Sequence, residues 1–203
     1  HMQNVNFYFI PKKRNRRLRK IYPPSYYWYY KQWQFSAYQL ARRLDSEHNF
    51  DLLHQLTMVG FREPGYLHRF HKPTVWGPIG GFGMYPRAFF KELPLYYKLF
   101  YLGFNIFNYV QSRYSSRISC AMKSFDVLLA ATKEQQRYIA DLYSKPSVYM
   151  PEVGIAGFPE ETVKGEREGL EFVWCGQIIP RKALHLSLKA LANLDGKNWR
   201  LNV

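Results

Sequence analysis

The chain has 203 residues, 47% of them apolar and 18% aromatic, which suits one large domain, or one domain and part of another, around a true core. Its formal net charge of +14 implies partners of negative charge, whether phosphates, anionic lipid or nucleic acid. The longest uncharged stretch in the aromatic middle, Leu99–Ser112, has 14 residues and excludes a membrane-spanning helix there, which needs roughly 18–20.

His1 and Met2 read as a cloning remnant, and no signal peptide follows them. Val5–Ile10 (VNFYFI) predicts a strand closed by Pro11. Seven of the nine residues from Lys12 to Lys20 are basic: Lys12, Lys13, Arg14, Arg16, Arg17, Arg19 and Lys20. They supply half of the charge excess. After Pro23-Pro24, Tyr26–Leu44 predicts a helix, with Ala37, Leu40, Ala41 and Leu44 at helical spacing and an almost wholly aromatic first half.

Phe50–Leu53 (FDLL) predicts a short buried strand ending at His54, and Pro73–Trp76 (PTVW) another, running into Gly77-Pro78-Ile79-Gly80-Gly81. Pro86–Lys123 reads as helical, with breaks near Pro94 and Gly103. Phe125–Ala131 (FDVLLAA) is the clearest buried strand. Thr132 and Gln135 then form a capping box for a helix through Tyr143. Ser147–Met150 is a short strand, and the polar stretch Pro151–Gly169 reads as a connection. The pattern then restarts: a buried strand at Leu170–Cys175, an amphipathic helix at Ala183–Asn193, and a strand opening at Trp199–Val203.

Short apolar strands alternating with helices imply an α/β fold, a parallel sheet with helices on both faces. In such sheets ligands bind where loops leave the carboxyl ends of strands, here after Leu53, Trp76 and Cys175. The two cysteines, Cys120 and Cys175, have no metal-ligand spacing and are expected to be reduced, packed residues of a cytosolic protein.

Four features carry candidate chemistry. Glycines at Gly77, Gly80 and Gly81 let the backbone approach a ligand and offer N–H donors; a tight turn explains them equally well. Gly176, Gln177, Arg181 and Lys182 follow a strand and precede a helix, where cations oppose the helix dipole unless a phosphate is bound; a solvated basic loop is the plainer account. His54 closes a strand at an expected crevice edge, where it would serve as a base or donor, or simply pack. The basic run beside Tyr and Trp suits an anionic membrane surface, a solvated loop, or nucleic acid. Nothing resembling a Walker loop, zinc-ligand spacing or RNA-binding aromatic signature supports nucleic acid, which is not expected as a partner. There is also no GxGxxG after a first strand, no GxSxG elbow, no HExxH and no acidic pair of a hydrolase.

Phe50–Thr57 (FDLLHQLT), Pro73–Gly81 (PTVWGPIGG) and Phe172–Lys182 (FVWCGQIIPRK), in that order, resemble the family-4 (group 1) retaining glycosyltransferases of the GT-B fold. Met150–Ile155 (MPEVGI) resembles the interdomain connection of that family. The resemblance implies a Rossmann-like acceptor-side domain at residues 3–155, a connection at 156–169, and the start of a nucleotide-sugar-binding domain at 170–203. It implies a nucleotide-sugar donor and a glycan or lipid-linked acceptor, as in surface polysaccharide or lipopolysaccharide-type assembly, with no cofactor and no metal. Lys182 matches the family lysine that stabilises the leaving diphosphate, Gly77–Gly81 matches the glycine-rich loop of the first domain, and His54 would assist the acceptor.

Gln177 stands where the family has arginine, so that phosphate contact is lost or moved to Arg181, and Ala183 stands where the family has glycine. The family's paired glutamates would fall past Val203, and its first strand before Val5. The expectation is therefore a chain trimmed at both ends, inactive as it stands, with free sheet edges that favour self-association. The expected location is cytoplasmic, peripheral on the inner face of the membrane. The rival expectation is a non-catalytic membrane-surface or anion-binding module working through the basic-aromatic arm.

Overall fold

The structure is a computed structural model that describes residues 5–12, 15–22, 25–58, 60–157, 169–194 and 198–203. Lys13 and Arg14 of the basic run, and most of the connection at 156–169, lie outside the described residues.

Val5–Ile10 forms no strand. A strand is stable only when its backbone groups pair along a neighbour, and no strand among the described residues pairs with it; its Ile10 carbonyl accepts instead from the Trp33 indole N–H at 2.9 Å. Its side chains stand in solvent, with Phe7 82% and Phe9 91% exposed. The basic run instead makes the helix α1 (Arg16–Ile21), whose Asn15 cap accepts a hydrogen bond from the Leu18 N–H at 3.0 Å. Arg19 and Lys20 occupy its last turn, where cations complement the dipole. α2 (Ser25–His48) follows, longer than the sequence pattern required at both ends. It buries Tyr30, Gln34 and Leu44, and Tyr38 meets the Phe70 ring edge-on at 5.5 Å.

Four parallel strands form the main sheet in the order β1-β2-β3-β4: β1 (Leu53–Gln55), β2 (Thr74–Ile79), β3 (Val127–Ala130) and β4 (Val148–Tyr149). The fold is thus α/β with a parallel sheet. Trp76 pairs with Leu128 and Ile79 with Ala130, and all four side chains are fully buried on one face. Against them pack Ile118, Ala121 and Met122 of α4 (Ser116–Ser124), Phe125, and Ile139 and Tyr143 of α5 (Lys133–Tyr143).

The other face is different. His54, Val75 and Val127 share it by register, and Leu129 leads across to Val148. Val127 is 40% and Val148 57% exposed while Val75 and Leu129 are half-buried, so among the described residues this face is less covered than helices on both faces would leave it. The strand order explains it. Each strand's successor is its immediate neighbour, and crossovers of one hand that all step the same way place their connections on one side.

Strand boundaries also move. β1 begins at Leu53, so His54 lies inside the strand rather than after it. β2 extends to Ile79 through a register shift and a cis Gly77–Pro78 peptide, so Gly77 is a strand residue and not part of the loop. At φ +139° a Cβ on Gly77 would sit 2.4 Å from the Leu129 carbonyl oxygen, which is why the strand needs glycine there.

The chain divides into two compact units, His1–Gly83 with Phe107–Gly154, and Met84–Ile106 with Ile155–Val203. The first holds the four-stranded sheet. In the second, Tyr85, Leu93 and Tyr101 make a small core, with the Tyr85 and Tyr101 rings stacked at 4.1 Å. Asn105 fixes this turn by exchanging hydrogen bonds of 2.8 and 2.9 Å with the Tyr85 backbone. The second unit also contains the parallel pair β5 (Leu170–Val173) and β6 (Trp199–Asn202), with α6 (Leu184–Ala192) between them in sequence. β5 is exposed throughout, contrary to the buried strand expected of an apolar run, because a two-stranded pair with one helix has too little mass to enclose it.

The long helix α3 (Leu95–Tyr114) runs unbroken through Gly103, and the next residue, Ser115, caps α4. The break near Pro94 is as expected. Cys120 and Cys175 are free and exposed rather than packed. Among the described residues no helix is long and apolar enough to cross a membrane.

Candidate functional site

The carboxyl ends of β1 and β2 open into a cleft of about 580 Å³. Its polar lining is Thr57, Arg62, Glu152 and the backbone of Gly60, Gly80 and Gly81. Tyr27, Leu56, Met58 and Pro78 complete the wall.

Two glycine turns lock together to make it. The Thr57 hydroxyl donates to the Gly60 carbonyl at 3.0 Å, and the Phe61 N–H donates to the Gly80 carbonyl at 3.0 Å. Gly60 has φ +61°, and a Cβ on it would lie 2.2 Å from the Gly80 oxygen. Only glycine fits, for reasons of both backbone conformation and space. Gly81, at φ +92°, leaves room for the Arg62 guanidinium, whose Nη1 lies 3.1 Å from where its Cβ would be. The Glu152 carboxylate reaches the same loop after β4: its Oε1 is 2.9 Å from the position of a Cβ on Gly80.

Arg62 is the most constrained of these groups. It is buried, and its Nη2 donates to Asn108 Oδ1 at 2.6 Å. Asn108, 1% exposed, turns its amide nitrogen toward the carbonyls of Gly81, Phe82 and Gly83 at 3.3, 3.0 and 3.3 Å. One buried side chain of α3 thus ties the arginine to the loop. Burial pulls the Arg62 guanidinium below its ordinary value, though an arginine stays charged at neutral pH. Its neighbour Glu63 is pushed up by burial, opposed by the ion pair with Arg117. The cleft therefore offers a hydroxyl, a carboxylate, a guanidinium and approachable backbone within one polar recess, a set suited to a ligand with many hydroxyls.

Of the residues singled out in the sequence, Gly80 and Gly81 enter this cleft. Gly77 does not line it, and neither does His54. His54 is exposed, and its Nε2 lies 2.8 Å from the Gly77 carbonyl. A carbonyl only accepts, so Nε2 carries the proton and only Nδ1 is left to act as a base.

Gly176, Gln177, Arg181 and Lys182 stay together on one exposed loop after β5, in the second unit. Pro180–Lys182 make a single 3₁₀ turn, closed by the Lys182 N–H donating to the Ile179 carbonyl at 2.9 Å. Ala183 then takes a left-handed conformation, φ +55°, before α6 starts. Both cations thus stand immediately before a helix N-terminus.

In the basic arm, Lys12, Arg16, Arg19 and Lys20 line a recess at the start of α2, whereas Arg17 is exposed and does not line it. Among the described residues no group of three or more His, Cys, Asp or Glu is placed to hold a metal ion.

Thr57, Gly60, Arg62, Asn108 and Glu152 were not singled out in the sequence. Gly60-Phe61-Arg62, a glycine and a cation in the loop that leaves β1, carried a usable signal for two of these five positions, Gly60 and Arg62. No family model, curated protein or solved structure matches the chain.

Proposed function

We propose that the chain belongs to a sugar-transferring enzyme of GT-B type, which moves a sugar from a nucleotide-sugar to a glycan or lipid-linked acceptor. The observation that carries this is the polar cleft at the carboxyl edge of the parallel sheet, where the Gly80-Gly81 loop faces Thr57, Arg62 and Glu152. The order of the three sequence motifs supports it, since two of them border this edge and the third ends in Arg181 and Lys182.

In this scheme Thr57, Arg62 and Glu152 hold hydroxyls of the acceptor. The Gly80 and Gly81 backbone admits it closely because neither carries a side chain. Arg181 and Lys182 neutralise the diphosphate that leaves with the nucleotide, where charge builds up in the transition state. The environment of His54 gives it a positioning part at most.

The test is sugar transfer from a panel of nucleotide-sugars by the protein as its gene encodes it. Lys182→Ala should lower kcat roughly tenfold to a hundredfold, the size of a lost charge-assisted hydrogen bond. Arg62→Ala should chiefly raise KM for the acceptor. Unchanged transfer in Lys182→Ala removes the phosphate role, and no transfer from any nucleotide-sugar removes the proposal.

A further inference from the structure

A second recess, about 470 Å³, lies in the first unit at the N-terminus of the 24-residue helix α2. Lys12, Arg16, Arg19 and Lys20 line it with Ser25 and Tyr26. Lys12 Nζ sits 3.8 Å from the Tyr26 ring centroid and the Arg19 guanidinium 5.2 Å from the same centroid. Two cations sharing one ring repel each other. Among the described residues no carboxylate pairs with any of the four cations. Among the described residues no acidic side chain lines the recess.

Ser25 points to a ligand independently of this charge. It is 2% exposed and lines the recess, yet its hydroxyl has no hydrogen-bond partner among the described residues. A buried hydroxyl without a partner is costly, and it is relieved by whatever fills the space beside it. The first-turn amides after Ser25 have no acceptor within the helix, and the dipole favours an anion at this end. Cations, a hydroxyl donor and a helix N-terminus together match the oxygens of a phosphate group.

The surroundings indicate what carries that phosphate. Ile21, 83% exposed, and Tyr22, 58% exposed, follow Lys20 directly. Trp28, also 58% exposed, lies one turn along α2 from Ser25. Apolar and amphipathic side chains beside a cationic recess fit a lipid surface, where rings settle at the boundary and cations meet headgroups. We infer that this recess binds the phosphate of an anionic lipid headgroup and docks the chain on a membrane surface. The inference stands apart from the sugar-transfer proposal, since it uses none of the cleft or loop residues.

The experiment is cosedimentation with vesicles of phosphatidylcholine alone, or of phosphatidylcholine mixed with phosphatidylglycerol, at one fixed ionic strength. Binding is expected only to the mixed vesicles. The triple change Lys12→Gln, Arg19→Gln, Lys20→Gln should reduce partitioning by roughly a hundredfold or more. A control with the same net charge, Lys123→Gln, Lys133→Gln, Arg137→Gln, should bind nearly as the parent does. Ser25→Ala should weaken binding several-fold while leaving the thermal transition unchanged or raised, because it deletes an unpartnered hydroxyl. Equal losses in the two triple variants would mean bulk charge alone and overturn the site, as would full binding by Ser25→Ala. Tighter calorimetric binding to soluble glycerol 3-phosphate than to vesicles would overturn the lipid source. Tighter binding to a DNA or RNA oligonucleotide than to vesicles would assign the arm to nucleic acid instead.

Discussion

Gly60 shows how a single atom decides the cleft. Its backbone sits in the left-handed region and its α-hydrogen faces a carbonyl oxygen of the opposite turn. An alanine there meets strain of roughly 1–2 kcal/mol from the backbone alone, plus an overlap with backbone that cannot swing aside. Gly60→Ala should therefore lower stability by at least about 2 kcal/mol, read as a drop in the urea midpoint. Gly83 is the internal control, because a Cβ there would meet nothing within 4 Å. Gly83→Ala should shift the midpoint little, and equal effects at the two positions would contradict the interlocked turns. Asn108 makes the matching point for side chains. It satisfies one arginine and reaches three carbonyls from the middle of an aromatic helix, and no local pattern marks it for that task.

At the scale of elements, what could be read from the sequence depended on how local the cause was. Thr132 caps α5 by accepting from the Gln135 N–H at 3.1 Å, as the spacing required, because a cap involves residues three apart. α2 and β3 were likewise legible from periodicity and from a continuous apolar run. The β1 boundary was not. FDLL has apolar residues on both sides of Asp51 and no clear end, and only pairing with Thr74–Trp76 fixes the ladder at Leu53–Gln55. The strand expected at Val5–Ile10 failed for the same reason, having composition but no partner. Within the cleft, Gly80 and Gly81 were legible as a glycine cluster after a strand, while Arg62, Asn108 and Glu152 converge from three distant segments.

Two helices give a paired test of backbone chemistry. Ala183 holds the left-handed position before α6, and Gly103 lies in the middle of α3 with nothing within 4 Å of a would-be Cβ. Ala183→Gly relieves a conformation that disfavours a side chain, and Gly103→Ala removes backbone freedom where space is open. Each should raise stability by up to about 1 kcal/mol, seen as a higher thermal midpoint. Lowered midpoints in both would refute these assignments.

The whole molecule inherits the arrangement of its sheet. One face is closed by α4, α5 and Phe125, and the other leaves Val127 and Val148 in water. Among the described residues β1 and β4 are each paired on one side only, and both are short. An uncovered apolar face also has a thermal signature. The heat-capacity rise on unfolding counts apolar surface that becomes wet, and surface already wet in the folded chain adds nothing. For 203 residues an ordinary globular protein gives roughly 2.4–3.0 kcal/mol/K. Scanning calorimetry at low protein concentration should find a smaller increment and a correspondingly shallow stability curve, with little loss of stability on cooling. An increment inside the ordinary range that falls on dilution would mean instead that a second copy covers the open face.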